Sequence, residues 1–147
     1  MSDRVSSATR VISATPEAIF DLLADPAAHA RFDGSGSVQG AQTGAPDRLS
    51  LGATFGMDMK IGIPYRIKNT VVEFEEGHLI GWRHMGGHVW RYRLTPVDGG
   101  TEVTEEFDWG LSHVPWALKL AGYPEKNRKA MVATLERLEQ VVTGTDA

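Results

Sequence analysis

Two pairs of side chains in the second half of the chain have types that could do chemistry, and both depend on being brought together. Tyr92 and Glu105 are a phenol and a carboxylate. Side by side they could share a structural hydrogen bond, or polarise a ligand carbonyl or move a proton. His84 and His88 flank Gly86-Gly87 and could face each other across a hairpin. Zinc needs at least a third protein ligand, and Trp109, the expected neighbour, supplies none, so no metal site is expected. Ser112-His113 has no acid at a recognisable place and no Gly-x-Ser-x-Gly occurs, which argues against a hydrolase triad. The glycines of Asp33 to Pro46 follow a helical pattern instead of opening one, and no Gly-Lys-Ser/Thr appears. A loop or frayed edge strand is expected there, not a phosphate cradle.

Turn geometry decides whether the two pairs meet. Asp98-Gly99 is a two-residue hairpin signal, which sets Val97 opposite Gly100. Leu94 then faces Val103, Tyr92 faces Glu105, Trp90 faces Phe107 and His88 faces Trp109. The other face pairs Arg91 with Glu106, Arg93 with Thr104 and Thr95 with Glu102. Apolar residues collect on one side and charges on the other, which supports the register. At Gly86-Gly87 a two-residue loop would put Arg83 beside Trp90 on the inner face. A three-residue loop of Met85, Gly86 and Gly87, with Gly87 left-handed in a bulge, instead puts Trp82 opposite Trp90 and Ile80 opposite Tyr92. This loop keeps Arg83, Arg91 and Arg93 outside, facing solvent, and Arg91, Arg93, Glu102 and Glu106 then form a solvated, salt-bridged surface of little energetic weight. His84, His88, Tyr92 and Glu105 are then the inner polar groups. His84 and Glu105 lie on the order of 16 Å apart in this register, too far for a dyad.

The elements that hold these strands follow the same logic. Ser6 to Ser13 alternates weakly as a strand, with Ala8 and Ile12 on one face. Thr15-Pro16-Glu17 starts a helix whose apolar stripe is Ile19, Phe20 and Leu23. Asp25-Pro26 repeats the signal for a second short helix to about Arg31, docked by Phe32. From Thr54 the period becomes two: Phe55, Met57, Met59 and Ile61 alternate with Gly56, Asp58 and Lys60. Strands are expected over Tyr65 to Glu75, His78 to His84, His88 to Pro96 and Thr101 to Trp109, an antiparallel meander with glycines at its reversals. Pro115 and Gly122 interrupt the chain. Pro124 then opens a helix of about twenty residues carrying Met131, Leu135, Leu138 and Val142, which Gly144 ends. That helix must lie across the sheet, or neither element buries its apolar face. Bulky aromatics around an inward Glu105, costly unless paired, hydrated or facing a cavity, point to a pocket instead of a solid core.

Composition narrows the function classes. At 147 residues the chain fits one domain, and 41% hydrophobic with 23% charged residues is ordinary for a globular protein. A net charge of −4 argues against non-specific nucleic-acid binding. No apolar run is long enough to cross a bilayer, and no signal-peptide core follows Met1, so a cytoplasmic location is expected. The absence of cysteine excludes disulfides, thiolate metal sites and a cysteine nucleophile.

The order and the residues resemble the START/Bet v 1-like superfamily, often labelled SRPBCC or polyketide cyclase/dehydrase-like. The resemblance rests on Ile12-Ser13-Ala14-Thr15-Pro16-Glu17-Ala18-Ile19-Phe20, Asp25-Pro26, and Val72-Glu73-Phe74-Glu75-Glu76-Gly77 leading to Gly81-Trp82. Gly100-Thr101-Glu102-Val103-Thr104 and Leu135-Glu136-Arg137-Leu138 complete it. It implies one domain over residues 1–147, of α+β helix-grip fold: a curved antiparallel sheet wrapped around a long C-terminal helix, with two short helices after the first strand. It also implies a cavity between sheet and helix that takes a small hydrophobic molecule of lipid, sterol or polyketide type. Fold likeness sets a ligand class and no reaction. The expected ligand-binding residues are Met57, Met59, Trp82, His84, Trp90, Tyr92, Glu105, Phe107 and Trp109, with no cofactor. Two other readings are kept: a cyclase or aromatase using Tyr92 and Glu105, and a regulatory module acting through its surface. Oligomeric state is left open.

Overall fold

Alternation and turn glycines cut the chain into seven strands, and the computed structural model shows how they join; it describes residues 4–35, 37–42, 44–84 and 87–144. The strands are β1 (Val5–Ile12), β2 (Val38–Ala41), β3 (Thr54–Ile61), β4 (Ile63–Glu75), β5 (Leu79–Arg83), β6 (Val89–Val97) and β7 (Gly100–Asp108). They form one antiparallel sheet in the order β1-β7-β6-β5-β4-β3-β2. The chain thus makes a continuous meander from β2 to β7, and β1 closes onto β7. The short segment Val38–Ala41 in the glycine-rich stretch is the edge strand at the far side.

Helix α1 (Pro16–Leu23) starts where the sequence places it: the Thr15 hydroxyl accepts from the Ala18 amide, and Ile19, Phe20 and Leu23 are buried. Asp25 caps a 3-10 turn (Pro26–Ala28) that runs directly into α2 (His29–Phe32), with Phe32 buried. A short helix not expected from the sequence, α3 (Pro115–Leu120), fills the segment between Pro115 and Gly122. Helix α4 (Tyr123–Thr143) packs on β1 and β7, and Gly144, left-handed at φ 74°, terminates it. Met131, Leu135 and Leu138 are buried beneath it as expected, Thr134 joins them, and Val142 is only partly covered.

The β6–β7 ladder carries the expected register from Val97↔Gly100 through Tyr92↔Glu105 to Trp90↔Phe107. It stops one residue early, at Val89↔Asp108. The expected pairing of His88 with Trp109 does not form, because Trp109 leaves the sheet in a 3-10 turn and its amide donates to the Arg4 carbonyl. On the other side Trp82 faces Trp90 and Ile80 faces Tyr92, the register of the longer loop. Gly87 is left-handed at φ 92°, while Met85 and Gly86 lie outside the described residues.

One expectation about the outer face is corrected. Arg91 points away from α4 but does not face solvent: it is 6% exposed. Its Nε donates to Glu73 Oε1 at 2.7 Å, and its terminal nitrogens reach Glu106 at 3.3 Å and Asp108 at 3.2 Å. The register shift of β4 against β5 between Val71 and Glu73 carries Glu73 over Arg91. Gly81 leaves room for this crossing, since a Cβ there would lie 2.9 Å from Glu73 Oε1 and 3.1 Å from Arg91 Cβ. Arg83 and Arg93 are exposed as expected.

Candidate functional site

Between the concave sheet face and the helices lies a cavity of about 390 Å³, in the size range of small-molecule sites. Strands β3 to β7 supply its floor through Met57, Met59, Asn69, Trp82, Trp90, Tyr92, Glu105 and Phe107. Helices α2, α3 and α4 supply its roof through His29, Phe32, Leu118, Met131 and Thr134. Ile61, Tyr65 and Tyr123, all exposed, also line it and mark its rim. A wider, more open groove of about 810 Å³ runs past Lys68, Arg83 and His113, and His84 lines both. Only the 390 Å³ cavity gathers the inner aromatic rings, so it is the candidate site.

Eight of the nine expected ligand-binding residues lie on this wall. The exception is Trp109. Having left the sheet, it packs with Phe107 and Met131 in a separate apolar cluster, and the Arg4 guanidinium sits 5.8 Å over its ring. Trp109 is therefore support behind the wall, not part of it.

The aromatic rings interlock around one centre. Trp82 meets Phe55 edge-on at 5.6 Å and Tyr92 at 5.9 Å, and Trp90 leans on Phe107 at 4.8 Å. The His29 ring stacks on Trp82 at 5.1 Å. Sequence reasoning missed His29, because it sits on a short helix far from the strands in sequence. Its Nε2 donates to the Leu23 carbonyl at 2.9 Å, and burial lowers its pKa, so the ring is neutral.

His84 and His88 do come together, stacked at 4.6 Å with His88 edge-on to Phe107. Burial lowers both pKa values, and burial with the neighbouring His84 brings His88 down to about 4. Two neutral rings in contact are a wall element. Among the described residues no group of three or more histidines or carboxylates is placed to hold a metal ion.

Tyr92 and Glu105 meet as the register requires. Glu105 is 5% exposed on the inner face. Burial raises its carboxyl to about 8; the Tyr92 hydrogen bond pulls the other way, and the charge of Asp33 adds to the rise. Tyr92 is itself raised well above its ordinary value, by burial first and then by Glu105. At neutral pH the pair is a protonated carboxyl beside a protonated phenol, able to donate hydrogen bonds or a proton, and not a base.

The loop after α2 is fastened to the roof. The Gly34 amide donates to Thr134 Oγ1 at 2.9 Å, and a Cβ on Gly34 would lie 2.5 Å from the Thr134 nitrogen. Only glycine permits that approach.

Comparison with known proteins agrees with this architecture. The family described as "Polyketide cyclase / dehydrase and lipid transport" matches residues 4–143. An uncharacterized protein of Mycobacterium tuberculosis strain H37Rv is 35% identical over 144 residues, covering 92% of this chain. A second, from strain CDC 1551, is 34% identical over the same length. The chain spans 62% of the length of each of these curated relatives. Among solved structures, a Nitrosomonas europaea protein superimposes with a TM-score of 0.79 at 13% identity, over 99% of this chain and 98% of that one. The AHSA1-like protein from Aeromonas hydrophila superimposes with a TM-score of 0.67 at 22% identity, over 96% of this chain and 93% of that one. These likenesses show the fold. With its seven-stranded antiparallel sheet gripping a long C-terminal helix, the chain belongs to the polyketide cyclase/dehydrase and lipid transport family of START/Bet v 1-like (SRPBCC) proteins.

Proposed function

We propose that this protein binds and carries a small hydrophobic molecule in the cavity between sheet and C-terminal helix. The observation that carries this reading is the cavity itself: about 390 Å³ walled by Trp82, Trp90, Phe107, Phe55 and three methionines. A solid core would fill such a volume with side chains, since protein interiors close to near-crystalline density. The test is titration with the neutral fluorophore Nile red, beside the cavity-filling variant Ala130→Phe, at a position of α4 that lines the cavity. Saturable binding by the parent protein that the variant loses supports the reading. Absence of binding, or binding unaltered by the variant, would remove the cavity as the site. Native mass spectrometry of protein purified from its own source would then show the mass of the resident molecule.

One observation favours a second reading, a cyclase or aromatase. Glu105 keeps its proton to about pH 8 beside Tyr92, so the pair could protonate a ligand carbonyl as a general acid. In that case Glu105→Gln abolishes turnover of a poly-β-ketone while Nile red affinity is retained. A carrier shows no turnover in either form.

A further inference from the structure

Resting on the ligand-binding reading, we propose that the cavity selects an uncharged apolar molecule bearing hydroxyl groups, and discriminates against fatty acids and other anionic amphiphiles. Two independent features of the wall lead there.

The first is charge. Among the described residues, no lysine or arginine lines the cavity. Its histidines, His29, His84 and His88, are held neutral by burial. The acidic groups at the site are Glu105 and Asp33. A ligand carboxylate or phosphate would enter a low-dielectric space with no cation to meet it and with Asp33 on the same wall. Burying a charge on those terms is strongly unfavourable.

The second is the pattern of unused polar atoms. Among the described residues, three buried side-chain atoms lack a hydrogen-bond partner: Asn69 Oδ1, His84 Nδ1 and Glu105 Oε1. All three belong to residues lining this one cavity. Asn69 and Glu105 are 3% and 5% exposed, so bulk water does not compensate them. Asn69 on β4 stands at the level of His84, while Glu105 on β7 is three strand spacings from Asn69 and about four residues along the strands, on the order of 20 Å by strand geometry. His84 lies at the end of β5, toward the hairpin. An amide oxygen accepts only, whereas an imidazole nitrogen and a protonated carboxyl can each donate or accept. A hydroxyl does both, so hydroxyls at separate points of a rigid apolar frame answer all three. A hydrocarbon chain would leave every one of them unpaired, which is how sites of this kind reject analogues lacking the polar group.

The experiment is Nile red displacement from the parent protein by a shape-matched series: para,para′-dihydroxybiphenyl, para,para′-dimethylbiphenyl, biphenyl carboxylate and dodecanoate. The diol is expected to bind about tenfold or more tightly than its dimethyl isostere, and more tightly than either anion. Asn69→Leu, and separately Glu105→Gln, should shrink the diol's advantage over the dimethyl compound, with far-UV circular dichroism confirming the fold. If the dimethyl compound or dodecanoate matches the diol, the selectivity is overturned while ligand binding in the cavity stands. If no compound displaces the dye and Ala130→Phe leaves dye binding unaltered, the ligand-binding reading itself fails.

Discussion

Replacing Glu105 by glutamine tests the electrostatics of the site through stability alone, without knowledge of the ligand. The carboxyl has an ordinary value of 4.5 and is raised to about 8 in the folded protein, chiefly by burial. Below pH 4.5 it is protonated in both folded and unfolded chains and contributes no pH dependence. Between 4.5 and about 8 the unfolded chain binds fewer protons than the folded one, so stability falls as pH rises. At about 1.4 kcal/mol per pH unit the loss reaches roughly 3 kcal/mol at neutrality and about 5 kcal/mol once the folded-state carboxyl ionises. Glutamine keeps the shape and cannot ionise. Urea melts of both proteins across about pH 5 to about pH 9 should therefore diverge, with Glu105→Gln the more stable toward alkaline pH and the gap levelling off above about pH 8. His29, buried and neutral, destabilises the fold as pH falls through the ordinary histidine range. That contribution is common to both proteins and cancels in the difference. A stability difference flat to about 0.5 kcal/mol over this range would refute the argument, because it would mean the carboxylate is accommodated as an ion.

Three further outcomes follow from packing. Leu135→Ala should cost roughly 2–5 kcal/mol in urea unfolding, since Leu135 is fully buried under α4; a loss below about 1 kcal/mol would make that helix peripheral. Gly34→Ala should destabilise by about 1–3 kcal/mol and raise amide exchange in the loop after α2, because the added Cβ would collide with backbone of α4, 2.5 Å from the Thr134 nitrogen; an unchanged melt would show that the loop does not seat there. Arg91→Met should cost roughly 3–5 kcal/mol at neutral pH by leaving Glu73, Glu106 and Asp108 crowded without their cation. A loss below about 1 kcal/mol would show that the three carboxylates do not depend on the buried cation.

What the sequence determined by itself was everything set by local geometry. Asp98-Gly99 admits one tight hairpin, and that turn alone dictates Tyr92 beside Glu105 and Trp90 beside Phe107. Thr15-Pro16 and Gly144 mark helix ends because caps act within a turn of backbone. Alternation separated inner from outer faces, since a one-residue slip would exchange them. Contacts between elements with no common turn came from the assembled fold. His29 reaches Trp82 because α2 folds over the sheet, and Gly34 reaches Thr134 across 100 residues. Asn69 Oδ1 becomes a buried, unpartnered oxygen only when the helices close the cavity above β4. Arg91, outward by alternation, is buried because the register shift in β4 brings Glu73 across it. Trp109 continues the strand pattern in sequence yet turns off the sheet, its amide captured by Arg4 from the opposite end of the chain. Alternation assigns a side chain to a face; how deeply it is covered depends on which distant segment packs there, and that is settled by the whole fold minimising exposed apolar surface and unpaired polar groups.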